Sequence, residues 1–207
     1  MPAMRFITSA LPLLAILAAA PALGQDNKSA TIKPEVVKEN APGPLATGEQ
    51  RLDNLFLRLK KERSTEQARG IANEIREVLT QSGSATVDFL MESAARAMND
   101  KRYGAALDFL DQVTLLKPDY VEGWNRRATL HYLLGNYPKA MSDSAHVLAL
   151  EPRHLGALAG IAGILQETGH EQQALDAWEN YLSLYPADRE AQEQMFELMN
   201  KRAGQKT

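Results

Sequence analysis

The chain has 207 residues, of which 44% are hydrophobic and 24% charged, with a net charge of −3. This is the make-up of a globular protein of one domain or two small ones, and it gives no electrostatic pull toward nucleic acid or anionic lipid. No cysteine occurs, which excludes a disulfide-stapled scaffold, a thiol nucleophile and a lipid-modified N-terminal cysteine.

The first element is "MPAMRFITSALPLLAILAAAPALG", with Arg5 near its start, an apolar stretch from Leu11 to Ala20, and small residues Ala22 and Gly24 at its end. A basic start, a short apolar core and small residues at −3 and −1 form a secretory signal, cleaved after Gly24. The apolar core is about half of the roughly 20 residues needed to span a bilayer. The expectation is a soluble periplasmic protein without stable membrane insertion once the signal is removed; a freely secreted protein and an uncleaved anchor are the alternatives. Residues 25–48, with Pro34, Pro42 and Pro44 and few large apolar side chains, read as a disordered tether.

Helical periodicity begins at residue 49. Leu52, Leu55, Phe56 and Leu59 fall at i, i+3, i+4 and i+7, one apolar stripe of a helix. Ser64 with Gln67 opens a second helix in capping-box fashion, and Ala68, Ile71, Ile75, Val78 and Leu79 continue its stripe to the "QSGS" stop at Gln81–Ser84. Residues 49–82 therefore read as a helical hairpin.

Pro118, Pro152 and Pro186 then recur at intervals of 34 residues. Two residues before each stands a leucine (Leu116, Leu150, Leu184), twelve before each an alanine (Ala106, Ala140, Ala174), and twelve further back another alanine (Ala94, Ala128, Ala162). A 34-residue period marks a solenoid of helix–turn–helix units that bury their apolar faces by stacking on one another. The units are 87–120, 121–154 and 155–188. Gly135 and Gly169 suit the left-handed C-caps of first helices. Asn136 with Pro138 starts a second helix. Asp119 with Glu122 is expected to cap the middle unit's first helix, and Asp188 a final one. That final segment, 189–207, carries Met195, Phe196 and Met199 on one side and reads as a capping helix with a short tail.

The pattern resembles tetratricopeptide repeats. The middle unit is the closest match, with Trp124, Ala128, Tyr137, Ala140, Leu150 and Pro152 at the family's signature spacings. The resemblance implies an all-α, short right-handed superhelical solenoid of antiparallel helix pairs: three clear units, a degenerate repeat at 49–82 and the capping helix. Ser93 and Arg127 stand where a buried leucine is usual, and His131 replaces a common tyrosine, so the packing there departs from the family's pattern. The chain is also similar to short exported repeat proteins of Gram-negative, alphaproteobacterial type, which implies a part in envelope assembly or integrity.

No catalytic or metal pattern accompanies this fold. His131, His146, His154 and His170 form no i,i+4 pair, and neither HExxH, GxSxG, a Walker loop nor GxGxxG after a strand occurs. The chain is read as non-enzymatic, without metal or cofactor. In the resembled family the first helices line a concave groove. Carried over by register, the groove positions include Met91 and Met98 in the first unit, Asn125, Arg126, Thr129 and Tyr132 in the second, and Gly156, Gly160, Gly163, Gln166 and Glu167 in the third. Methionine, tyrosine and arginine are adaptable or anchoring interface residues. The lysines of the family's carboxylate-binding subgroup are absent.

Two readings of these residues stand open: a groove for a segment of another protein, or side chains that pack on adjacent helices. The three glycines, at i, i+4 and i+7, either make room for neighbouring bulky side chains such as Tyr132 or leave a bare floor. Self-association through Met195, Phe196 and Met199 is a further alternative, as is service as an accessory domain of an envelope enzyme. N-terminal sequencing of the protein recovered from the periplasm of an expressing Gram-negative cell is expected to begin at Gln25; an intact Met1 or a different start removes the assigned cleavage site.

Overall fold

The computed structural model describes residues 48–204, which lie in the second of the two units into which the chain divides, 1–43 and 44–207. The signal segment 1–24 and the tether up to residue 47 lie outside the described residues. Nine helices and no strand are present among the described residues: α1 (Gly48–Lys61), α2 (Thr65–Thr80), α3 (Ala85–Asn99), α4 (Tyr103–Leu116), α5 (Val121–Leu133), α6 (Tyr137–Leu150), α7 (Leu155–Glu167), α8 (Glu171–Leu184) and α9 (Arg189–Gly204). The pairs α3–α4, α5–α6 and α7–α8 coincide with the three 34-residue units, and α4 packs on α5, α6 on α7 and α8 on α9. The expected all-α solenoid is what these residues form.

The periodic alanines explain the stacking. Ala94, Ala106, Ala128, Ala140, Ala162 and Ala174 are all buried, none more than 5% exposed. A methyl group at each crossing lets two helix backbones approach closely, while Leu110, Val113, Leu130 and Val147 fill the space beside them. The turns share one geometry as well. Lys101, Gly135 and Gly169, at the same position of successive units, have φ of 58°, 70° and 78°, the left-handed residue that ends a first helix. Asp188 Oδ1 accepts the backbone N–H groups of Glu190 (3.1 Å) and Ala191 (3.3 Å), so it caps α9 as expected. Asp119 does not cap α5: its carboxylate is drawn to the Lys117 ammonium at 3.1 Å, and Tyr120 occupies the cap position without a side-chain bond.

Arg127, at one of the leucine positions, is held by polar partners on both neighbouring helices. Arg127 grips Asp143 with two hydrogen bonds of 2.8 Å, reaches Asp111 at 2.7 Å and Thr114 at 3.0 Å, and lies 4.7 Å from the centre of the Trp124 ring. One guanidinium thus ties α4, α5 and α6 together where an aliphatic side chain would have packed. His131 is buried nearby, and burial is the main influence pushing its pKa below the ordinary histidine value.

The hairpin of α1 and α2 forms as expected, but it is not the first layer of the stack. It packs against α5 and α8 rather than on α3 and α4. Leu52, Leu55, Phe56, Leu59, Ala68, Ile71, Ala72 and Ile75 join Leu158, Ala162, Ala174, Leu175, Trp178 and Tyr181 in one continuous core. Polar contacts fix the register: Tyr120 donates to the Thr80 carbonyl at 2.8 Å, and Arg153 pairs with Asp53 at 2.6 Å while lying 4.5 Å from the Phe56 ring centre. The signature leucines follow this placement. Leu184 packs on the shared core and Leu150 is 39% exposed beside the hairpin, but Leu116, in the unit the hairpin touches through Tyr120, is 58% exposed.

At the other end, α9 buries Ala191 and Leu198 and half-buries Met195, whereas Phe196 and Met199 are 60% and 44% exposed. The packed stripe of α9 is therefore Ala191–Met195–Leu198, and two of the three residues expected on it face outward. The Arg127 cluster gives a direct test. Asp143→Ala leaves the half-buried Arg127 guanidinium short of its main partner and should cost about 2 kcal/mol in urea denaturation, while the double replacement Arg127→Leu with Asp143→Leu should recover most of that loss.

Candidate partner-binding groove

Each residue expected in the groove can be placed. Met91 and Met98 are half-buried against the cores around Ala94, Ala97 and Leu110, with Met91 also against Val87 and Leu90. They are packing residues more than free groove contacts. Thr129 is exposed and turns its hydroxyl onto the Asn125 carbonyl (2.9 Å). Gln166 is half-buried on the same helix as the three glycines.

Asn125 and Arg126 converge on Glu122, in the first turn of the same helix. Asn125 Nδ2 donates to Glu122 Oε2 at 3.0 Å and Arg126 donates to Oε1 at 3.3 Å. From the start of α7, His154 brings Nε2 to 3.6 Å from the same carboxylate, while its Nδ1 accepts the Ala157 N–H at 3.1 Å and caps that helix. Glu122 is buried. Burial, the largest influence, raises a carboxylate pKa, but the His154 hydrogen bond, the Arg126 charge and the Asn125 amide together outweigh it and hold Glu122 below the usual value. The cluster ties the inner helices of units two and three, and it consumes the charge of Arg126.

Tyr132 and Glu167 form a second link across the same helices. The Tyr132 and Tyr137 hydroxyls both donate to the Glu167 carboxylate, one to each oxygen. The hydrogen bond to Glu167 is the main cause of a Tyr132 pKa raised to about 12, and the two phenols in turn lower that of Glu167.

The glycines play different parts. A Cβ built at Gly156 would lie 3.2 Å from both Asn125 Oδ1 and His154 Cε1, so this glycine makes room for the Glu122 cluster. At Gly163 it would meet only the Tyr132 hydroxyl, at an ordinary 3.8 Å. At Gly160 it would meet nothing within 4 Å. Gly160 is open floor between the two polar links.

Helix α2 walls the start of α7, beside Gly156 and Ala159. Thr65, Arg69, Ala72, Asn73 and Arg76 face Leu155, Gly156 and Ala159 of α7, with Tyr181, Tyr185, Asp188, Arg189 and Glu190 beyond, around a groove of about 610 Å³. The sequence reading missed these α2 residues. The available signal was the polar stripe Arg69–Asn73–Arg76 at i, i+4 and i+7, which by itself is indistinguishable from a solvated face. Among the described residues, no group of three His, Asp or Glu side chains is arranged to hold a metal ion, and no helix is long and apolar enough to cross a membrane.

Stacked helix pairs with an inner groove define a repeat solenoid of the protein-interaction kind. The chain is 51% identical over 210 aligned positions, covering the whole of both chains, to a TPR repeat-containing protein of Rhizobium etli. It belongs to the tetratricopeptide repeat family, a family of interaction modules. A shorter likeness, 35% identity over 77 residues covering 37% of this chain and 21% of the other, is to the Protein SGT1 homolog of Homo sapiens. No protein-family model matches. Among solved structures the fold is similar to the first TPR of Spaghetti (RPAP3) bound to the HSP90 peptide SRMEEVD (TM-score 0.55, 20% identity, 58% of this chain and 95% of that one). It is also similar to a TPR2B-domain complex of yeast Sti1 with a pHsp70 partner (TM-score 0.53, 14% identity, 57% and 99%) and to MamA (TM-score 0.54, 16% identity, 67% and 81%).

The Glu122 cluster predicts an acid-sensitive link. A carboxylate whose folded pKa is depressed contributes stability that is complete above its ordinary pKa of 4.5 and is lost as pH falls through the lower folded value. Denaturation across that acidic range should show the loss in the native chain and a flatter profile in Glu122→Gln, which is less stable at neutral pH.

Proposed function

We propose that the protein is an exported, non-enzymatic scaffold of the bacterial periplasm that holds an extended or helical segment of another envelope protein in its inner groove, in the service of envelope assembly or integrity. The observation that carries this reading is Gly160, a bare position on the inner helix of unit three with nothing within 4 Å of where a side chain would start. A glycine inside a helix costs roughly 1 kcal/mol relative to alanine, and here no neighbour occupies the space it leaves. Close approach of a partner backbone accounts for that expense. The structures of similar fold that carry HSP90 and Hsp70 partners support a segment as the ligand. The signal layout of residues 1–24 supports the compartment.

A second reading has its own observation. Phe196 and Met199 leave the terminal helix with exposed apolar side chains, as a self-associating scaffold requires. Sedimentation of the full chain against Phe196→Ser with Met199→Ser separates the two: a monomer in both cases removes self-association.

Gly160→Leu tests the groove. Nothing blocks the new side chain and leucine is the better helix former, so thermal stability should be unchanged or higher by up to about 1 kcal/mol. Capture of envelope partners by the immobilised protein should be lost. An unchanged partner set with Gly160→Leu removes the groove assignment.

A further inference from the structure

We propose that the groove between α2 and the inner face of α7 takes an acidic peptide segment, anchored by Arg69 and Arg76 of the hairpin. This rests on the groove reading above and adds the chemistry of the ligand and the residues that select it. The repeats themselves cannot supply the cationic anchor: Arg126 is held by Glu122, Arg127 by Asp143 and Asp111, and Arg153 by Glu151 and Asp53. Arg69 and Arg76 differ. Both are exposed, both line the groove of about 610 Å³, and neither forms an ion pair; Arg76 donates only to the neutral Asn73 amide, at 3.0 Å.

The acids on the opposite wall, Asp188 and Glu190, form no ion pair with them. Asp188 is engaged with the Tyr181 hydroxyl (2.6 Å) and the α9 backbone, leaving Glu190 as the only other carboxylate lining the groove. Tyr185, on the same wall, lies close enough to feel both guanidiniums. Burial and then Asp188 raise its pKa, and Arg69 and Arg76 pull it back.

The spacing suits a peptide. Seven residues of helix separate the Cα atoms of the two arginines by about 10 Å along the axis, so two acidic groups on one chain can each meet one guanidinium. Three residues of a polyproline II chain cover nearly the same distance, at about 3.1 Å each, and bring the side chain back to the same face. The ligand is therefore a polyproline II segment with acidic side chains three residues apart, its backbone lying over Gly156 and Ala159.

The test is to pan a phage-displayed library of random heptapeptides against the full-length chain, and against Arg69→Gln with Arg76→Gln. Both positions are exposed, so the double variant keeps its fold, and Arg58→Gln, outside the groove, serves as the control. The native chain and the control should enrich peptides carrying Asp or Glu three apart. Titration of an enriched peptide should show roughly tenfold weaker binding per arginine removed. Enrichment of neutral or basic peptides, or acidic enrichment that survives in the double variant, overturns the proposal. If those peptides are still lost with Gly160→Leu, the groove reading stands without it. Retention of anionic phosphatidylglycerol vesicles with no acidic peptide enriched also overturns it, and a library that yields no peptide at all overturns both.

Discussion

The α1–α2 hairpin buries its apolar stripe against the side of units two and three, and the shape of the binding surface depends on that contact. Leu55, Phe56, Leu59 and Ile75 are each at most 4% exposed within a core shared with Trp178 and Tyr181. A large apolar side chain buried so fully contributes about 2 kcal/mol, an upper estimate because the unfolded chain is already partly collapsed. The Arg153–Asp53 pair and the Tyr120–Thr80 hydrogen bond add little energy of their own beside that. They choose one register among those the apolar contact alone allows.

Three polar links then hold the units in order. The Arg127 cluster joins units one and two, the Glu122 cluster joins the inner helices of units two and three, and the Tyr132–Glu167–Tyr137 link joins the same two helices farther along. Buried or half-buried charges of this kind are costly unless every lone pair and proton is matched, and here Arg127 and Glu122 are each met by three partners. Leucine packing in their place would leave many slightly shifted stackings nearly equal in energy. The matched polar groups favour one of them. They also absorb the charge of Arg126 and Arg127, so the cations left along the groove are Arg69 and Arg76 of α2 and Arg189 of α9.

Much of the fold was legible in the sequence because its signals are local or strictly periodic. The alanines at 34-residue spacing mark helix crossings, and a crossing admits only a small side chain whatever surrounds it. Gly135 and Gly169 mark left-handed turns for the same kind of steric reason, although Lys101 shows that a residue other than glycine can take that conformation. The placing of Asn125, Arg126, Tyr132 and Gly160 on the first helices of units two and three, α5 and α7, was also legible by register. What their side chains do was not, since a register position does not reveal a competing partner: Arg126 is spent on Glu122, and Met91 and Met98 pack inward.

The sequence by itself determined nine helices' worth of periodicity, the three units, the small-residue crossings and the glycine stripe, because each of these follows from backbone sterics or from the spacing of apolar residues along one helix. Only the tertiary structure decided where the hairpin goes. An amphipathic pair of helices carries a stripe that must be covered, but nothing in the stripe names the surface that covers it. Docking on units two and three instead of stacking on unit one leaves Leu116 exposed and places Arg69, Asn73 and Arg76 along the inner helices. A polar helix face that reads as solvated in sequence becomes the wall of the groove through a contact made by the opposite face of the same helix.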